Sequence, residues 1–281
     1  MRFWKMQAAG NDFILADGYN YKILDGKKIA KTVCDRHFGV GADGFMFPEK
    51  SSVAQVKMNY FNSDGSLAEM CGNGIRCFAK FVYERGIVES LKFSIETLAG
   101  IKDISLKLYE NGEVEKIDVE MGEVDFRSSS IPVIGYNQEV LLEKLDVLGE
   151  EFLFSSLLMG VPHTVIFVED FSEIDIAKIG SAIENHPSFP QKTNVNFAKI
   201  LDSKRIEIKT WERGAGHTLG CGTGCCATGA LAHRLGKTQE RELQLFTEGG
   251  KIEISIGEGY GIKMSGWAEN ICTGEILKEI R

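Results

Sequence analysis

No apolar run in the sequence approaches the roughly 20 residues a helix needs to cross a bilayer, so no membrane role is expected. The N-terminal MRFWKMQAAGNDF lacks the continuous apolar core of a signal peptide. Dense Lys/Arg blocks are missing too, and a net charge of −8 argues against a nucleic-acid-binding surface. Cys-x-x-Cys pairs are absent. Cys71 and Cys77 are too far apart and Cys225 and Cys226 are adjacent, so no zinc pattern forms and no metal is expected. Seven cysteines, an odd number, do not make a disulfide scaffold in a chain of 281 residues. These exclusions point to a cytoplasmic enzyme with reduced thiols. With 43% hydrophobic and 26% charged residues, the chain can build a proper core.

What is present is a repeat. Met70-Cys71-Gly72-Asn73-Gly74 and Gly220-Cys221-Gly222-Thr223-Gly224 place their cysteines 150 positions apart. VKMNYFNSDG from Val56 pairs with IEIKTWERGA from Ile206, and LKFSIETLAG from Leu91 with RELQLFTEGG from Arg241, again at 150. That period is far too long for a solenoid and implies duplication of a whole domain. The expected fold is α/β (α+β) in two related halves. One covers residues 1–120 with a C-terminal tail from about 269 to 281, and the other residues 121–268.

Along the chain, Arg2 to Ala16 reads as a strand broken at Gly10-Asn11-Asp12, and Lys27 to His37 as a helix. Gly39 to Gly44 matches a G-x-G-x-x-G string, but Phe45-Met46-Phe47-Pro48 follows where a nucleotide site needs a helix, so a loop is expected. Val56 to Phe61 alternates like a strand, and Ile75 to Glu84 carries a helical apolar face that stops at Gly86. Leu91 to Glu123 supplies short strands with a turn at Asn111-Gly112. Serine-rich Arg127 to Ser130 reads as a connection between halves. Val161 to Val168, Thr193 to Phe197, Ile206 to Trp211, Lys251 to Ile256 and Gly261 to Met264 read as strands. Ile174 to Glu184 and Cys225 to Leu235 read as helices, and Cys272 to Ile280 as a tail. Gly236-Lys237-Thr238 lacks the upstream glycine of a phosphate loop, because Leu231 stands there.

Two thiols at two helix mouths suggest chemistry. A free thiol has a pKa of about 8.5, and unpaired N–H groups with the helix dipole lower it. Glycines expose those N–H groups, which could also hold a carboxylate. One thiolate and one thiol could remove a proton from one face of a carbon and return one to the other, inverting a stereocentre. The bland alternatives are buried packing, which suits Cys77, Cys225 and Cys226, with no chemistry expected of Cys34 or Cys272, or a Cys71–Cys221 redox pair in a thiol–disulfide protein. A non-catalytic amino-acid-binding protein is a third class. His163, beside Pro162 at a strand start, reads as structural on sequence alone. Glu212-Arg213, close before Cys221, is a substrate-binding candidate.

The segments KMQAAGNDF, FNSDGS, MCGNGIRC, Pro162-His163, FPQKTNVNF, WERGAG and CGTG resemble, in order, the motifs of the diaminopimelate epimerase family of cofactor-independent amino-acid epimerases. The resemblance implies two pseudo-symmetric domains, each a curved, mainly antiparallel sheet around a central helix. It implies that Cys71 and Cys221 are the acid/base thiols, that His163 tunes them, and that Gly72, Asn73, Gly222 and Thr223 bind the reacting carboxylate. Asn11, Asn62 and Asn194 would contact substrate, Arg213 would pair with the far carboxylate, and Glu212 would bind the ammonium. The implied substrate is LL- or meso-2,6-diaminopimelate, on the route to lysine and peptidoglycan precursors, with no cofactor and a homodimeric enzyme. Many members carry Asn where this chain has Val161 and Gln where it has Gly44, and they vary at His217. Racemisation of another amino acid such as histidine, or lanthionine epimerisation, is the alternative on the same fold.

Overall fold

The computed structural model describes residues 1–18, 23, 25–136 and 138–277. The chain divides into two compact units, Met1–Glu120 with Ser265–Arg281, and Met121–Met264. Among the described residues, no helix is long and apolar enough to cross a membrane.

The first unit begins with β1 (Arg2–Ala8) and β2 (Asn11–Ala16), followed by α1 (Gly26–Val33), β3 (Gly44–Glu49) and β4 (Val56–Asn62). The helix α2 (Gly72–Glu84) leads to β5 (Lys92–Thr97), β6 (Gly100–Leu108) and β7 (Val114–Glu123). Ala9 and Gly10, with φ of 48° and 82°, form the tight turn that pairs β1 with β2. Asn11 and Asp12 therefore lie in β2 rather than in the break expected there. Strands β2 and β3 run parallel across α1, and β4 and β5 across α2, while β1–β2, β3–β4, β5–β6 and β6–β7 are antiparallel. Helix α2 is buried from Gly72 through Val82 and packs against β1, β2 and β3. Its apolar residues Ile75, Phe78, Ala79, Phe81 and Val82 cover more than one stripe, as a central helix requires.

The second unit runs β8 (Val140–Val147), β9 (Glu150–Met159), β10 (Val161–Phe167), α3 (Ile176–Glu184), β11 (Asn194–Ile200) and β12 (Arg205–Glu212). It continues with β13 (Gly216–Thr218), α4 (Gly222–Arg234), β14 (Glu242–Thr247), β15 (Gly250–Ile256) and β16 (Gly261–Gly266). The repeat is exact at six element starts. β2, α1, β3, α2, β5 and β6 begin 150 residues before β10, α3, β11, α4, β14 and β15. Both units are mixed α/β with a mainly antiparallel sheet. Helix α4 is the central helix of the second unit, and its small residues let the strands approach. A Cβ on Gly229 would lie 2.1 Å from Ile254 Cδ1 and 3.3 Å from Leu243 Cδ1.

Four further sequence readings change. The C-terminal segment opens as strand β17 (Glu269–Glu275), pairing antiparallel with β1 so that Phe3 faces Gly274; the end of the expected tail, Ile280, lies outside the described residues. Arg127 to Ser130 lies inside the second unit, where Arg127 bridges Glu139 and Ser128 N–H donates to Gln138. Strands β8 and β9 were not anticipated; in β8 a bulge between Val140 and Glu143, with Leu142 at φ 54°, interrupts the alternation. Helix α1 is also shorter than the Lys27 to His37 pattern. It starts at an Asp25 cap, whose carboxylate accepts from Lys28 N–H at 3.0 Å, and ends at Val33.

Candidate active site

Cys71 is the N-cap of α2. Its backbone is extended, with φ −134° and ψ 126°, and its Sγ accepts from Gly74 N–H at 3.4 Å. The thiol thus lies at the positive end of a buried helix. A Cβ at Gly74 would lie 2.3 Å from Met46 Cε and 3.4 Å from Phe13 Cζ, so the glycine lets the first turn settle onto β2 and β3.

Behind this mouth runs a chain of side chains. Asn73 Nδ2 donates to Asn11 Oδ1 at 2.6 Å, and Asn11 Nδ2 donates to Asp43 Oδ2 at 3.1 Å. Arg76, entirely buried, donates from Nη2 to Asn73 Oδ1 at 2.8 Å, from Nη1 to Gly72 O at 3.1 Å and from Nε to Trp267 O at 3.3 Å. Asp12 meets Lys5 at 3.0 Å and Arg36 at 2.9 Å. Burial works against its charge, but the bonds from Arg36 and Lys5 prevail and hold its carboxyl below the usual range. Asn62 ends β4, where its amide donates to Ser66 Oγ at 2.9 Å within its own turn.

Cys221 caps α4 in the same manner, with φ −112° and ψ 114°, and Gly224 N–H donates to its Sγ at 3.4 Å. Thr223 Oγ1 lies 3.4 Å from the sulfur. Burial pushes the Cys221 thiol well above its ordinary range, and the Glu212 carboxylate adds to that; the Thr223 and Gly224 contacts oppose it. Glu212 Oε1 accepts from Thr218 Oγ1 at 2.6 Å.

The Glu212-Arg213 loop is anchored from two sides. Asn194 Oδ1 accepts from Arg213 N–H at 2.9 Å, while Asn194 Nδ2 donates to Pro162 O at 3.2 Å. Buried Glu184 accepts from Trp211 Nε1 at 2.7 Å, Gly214 N–H at 3.1 Å and Lys192 Nζ at 3.2 Å. Burial opposes the Glu184 charge, yet these three donors keep its carboxyl below the usual range. Arg213 Nη1 donates to Gln191 O at 3.1 Å and leaves an exposed guanidinium. His163 is fully buried in β10. Burial, then the Arg213 charge, pushes its pKa down to about 3, so the ring is neutral at physiological pH.

Cys221, Thr223, Glu212, Arg213, Asn194 and His163 therefore form one connected group in the second unit. Cys71, Gly72, Asn73 and Asn11 form another in the first, with Asn62 in a neighbouring turn. Sequence reasoning missed Arg76, Glu184, Asn196 and Thr210. Thr210 could have been found from the alternation of β12, which turns it inward on the face of Ile206 and Ile208, whereas β11 is buried on both faces and gives Asn196 no such signal.

Residues 3–127 and 155–269 match the family model described as Diaminopimelate epimerase. The chain is 44% identical over 281 residues to the diaminopimelate epimerase of Alkaliphilus metalliredigens (strain QYMF), covering 100% of this chain and 99% of that protein. It is 46% identical over 279 residues to the diaminopimelate epimerase of Clostridium perfringens (strain 13 / Type A), covering 99% and 100%. Among solved structures, it resembles a Bacillus anthracis phenazine biosynthesis protein of the PhzF family, with TM-score 0.71, 20% identity and 99% of each chain covered. A probable proline racemase from Agrobacterium radiobacter K84 aligns with TM-score 0.73 and 15% identity over 98% of this chain and 92% of that one. At those identities the two structures speak to the fold alone.

Proposed function

We propose that this chain, which belongs to the diaminopimelate epimerase family, interconverts LL- and meso-2,6-diaminopimelate by two-base exchange of the α-proton. It is an isomerase. The observation that carries the mechanism is the matched pair of thiols, each capping the central helix of its own unit and each held by the N–H three residues on.

Inversion takes one thiolate and one thiol acting on opposite faces of the same carbon, with no cofactor in either proton transfer. Burial favours the protonated form of Cys221, which suits it to deliver a proton to a planar carbanion while the partner thiol opens the reaction as base. In the reverse direction the roles exchange. The N–H groups of Gly72-Asn73 and Gly222-Thr223, at two helix N-termini, would hold the α-carboxylate and take up charge as the carbanion forms. Asn11, Asn62 and Asn194 would contact the substrate's polar groups, Arg213 its far carboxylate and Glu212 its ammonium. His163 would tune the thiols from the floor of the second unit. Val161 begins β10 at the position where Asn11 begins β2, so one half offers an amide and the other an apolar surface to a substrate with two amino-acid ends. Lysine and peptidoglycan precursor synthesis, a cytoplasmic location and a homodimer complete the proposal; seven free thiols suit a reducing compartment.

The test is incubation with LL-diaminopimelate in deuterated water. Deuterium should enter the α position as the meso form accumulates, while L-histidine stays unlabelled. Cys71→Ala and Cys221→Ala should each lower turnover by at least about 100-fold. Full turnover in both variants would reject the two-base mechanism, and labelling of histidine without labelling of diaminopimelate would reject the substrate.

A further inference from the structure

The duplication puts different floors beneath the two thiols. Under Cys71, the side chains at 13, 46 and 60 are Phe, Met and Tyr, with the Phe13 and Tyr60 rings edge to face at 6.0 Å. The residues 150 positions later are His163, Asn196 and Thr210. The registers agree. Phe13 pairs with Gly44 and Met46 with Tyr60, just as His163 pairs with Asn194 and Asn196 with Thr210. The contact with the helix mouth agrees as well: a Cβ on Gly74 meets Met46 at 2.3 Å, and a Cβ on Gly224 meets Asn196 Oδ1 at 2.4 Å. An apolar triad in one unit is therefore a fully buried polar triad in the other, one helical turn from Cys221.

The hydrogen bonds in that triad leave one arrangement. Asn196 has Thr164 O at 3.2 Å from its amide nitrogen, and a carbonyl can only accept, so nitrogen and not oxygen faces it. The Thr210 hydroxyl donates to Asn196 Oδ1 at 3.1 Å, which fixes the other end. The second amide hydrogen is then directed at His163 Nδ1, 3.2 Å away. Nδ1 must accept, so the imidazole proton resides on Nε2. That Nε2 is buried and has no protein partner among the described residues. A buried donor left without an acceptor is costly, and an anion arriving in the site would relieve it.

We propose that Asn196 is a positioning residue that holds His163 as its neutral Nε2–H tautomer, so the ring serves the site as a hydrogen-bond donor and not as a base. A second proton would have to enter at Nδ1, against the amide N–H that already occupies it. The low pKa that burial and Arg213 impose on the ring agrees with this. The donor stabilises negative charge on the Cys221 side of the reaction, where the Glu212 carboxylate and burial oppose it. The first unit has Phe13 in that place and no such donor, which makes the two thiols unequal. This last step rests on the epimerase function proposed above, whereas the tautomer does not.

The experiment is long-range nitrogen–proton NMR on protein labelled with 15N-histidine. Single substitutions at His37, His186, His217 and His233, which are exposed or half-exposed, assign His163 by elimination. In the wild type, Nδ1 of His163 should carry the shift of an unprotonated ring nitrogen and Nε2 that of a protonated one. In Asn196→Asp, whose carboxylate can only accept, the two shifts should exchange. A wild-type ring protonated at Nδ1, or an unchanged tautomer in Asn196→Asp, would overturn the proposal. Turnover of LL-diaminopimelate by Asn196→Asp should fall about 10- to 100-fold in kcat with little change in KM, as when an outer partner that orients an active group is lost. Unchanged kcat beside a switched tautomer would overturn the catalytic half. An inactive wild type with the expected tautomer would sink the epimerase assignment and leave the tautomer standing.

Discussion

At the scale of single residues, the thiols divide by environment and not by type. Cys34 is pushed up to about 12 and Cys77 higher still, in both cases chiefly by burial, and burial raises Cys221 as well. A folded-state pKa above the unfolded one means that the native chain keeps a proton the unfolded chain loses. Stability is then full below the thiol's ordinary pKa of about 8.5 and declines as pH rises beyond it. Each buried thiol contributes a slope of up to about 1.4 kcal/mol per pH unit in that window. Urea midpoints between pH 8 and 11 should fall, and Cys34→Ala should fall less steeply than the wild type. Equal slopes would show that Cys34 ionises as freely in the fold as out of it. The two helix-mouth cysteines could be picked out from the sequence because glycines surround them. The Asn196 amide could not, because its importance comes from which atoms of Thr164, Thr210 and His163 surround it.

At the scale of elements, identical Cys-Gly-x-Gly motifs rest on different supports. Gly74 lies over Met46 Cε, the free end of a flexible thioether that can swing aside. Gly224 lies over Asn196 Oδ1, which accepts from the Thr210 hydroxyl, while the amide nitrogen of the same side chain donates to the Thr164 carbonyl. Gly224→Ala should therefore destabilise the protein by about 1–3 kcal/mol, the usual cost of overpacking, and Gly74→Ala by clearly less. Chemical denaturation of the two variants checks the order, and equal losses would mean the polar floor yields as readily as the apolar one. The helices themselves were legible, since an N-cap signal and a C-terminal glycine bound both α2 and α4. Gly86 and Gly236 adopt φ of 66° and 68° just past the helix ends, as a left-handed stop requires. Strand β17 was not legible, because its residues are nearly all exposed and its pairing with β1 spans almost the whole chain.

At the scale of the molecule, the first strand is tied to residues more than 260 positions later. Met1 and Ile276 exchange backbone hydrogen bonds at 2.8 and 2.9 Å, and Gly274 lies against the Phe3 ring, where a Cβ would come within 2.7 Å. A chain ending at Ala268 would leave β1 without a partner on that side, so its melting temperature should drop by at least about 5 °C. An unchanged melting curve would make β17 dispensable to the first unit. Duplication, the two-unit α/β fold and the thiol pair were set by the sequence alone, because a 150-residue period and glycine-flanked cysteines are written in consecutive residues. Only the tertiary structure decided that Cys71 lies above Phe13, Met46 and Tyr60 while Cys221 lies above His163, Asn196 and Thr210. The physical reason is that tautomers, orphaned donors and buried floors depend on which side chains strands bring together from distant positions. The opening symmetry of two like thiols becomes, in three dimensions, two unlike surroundings.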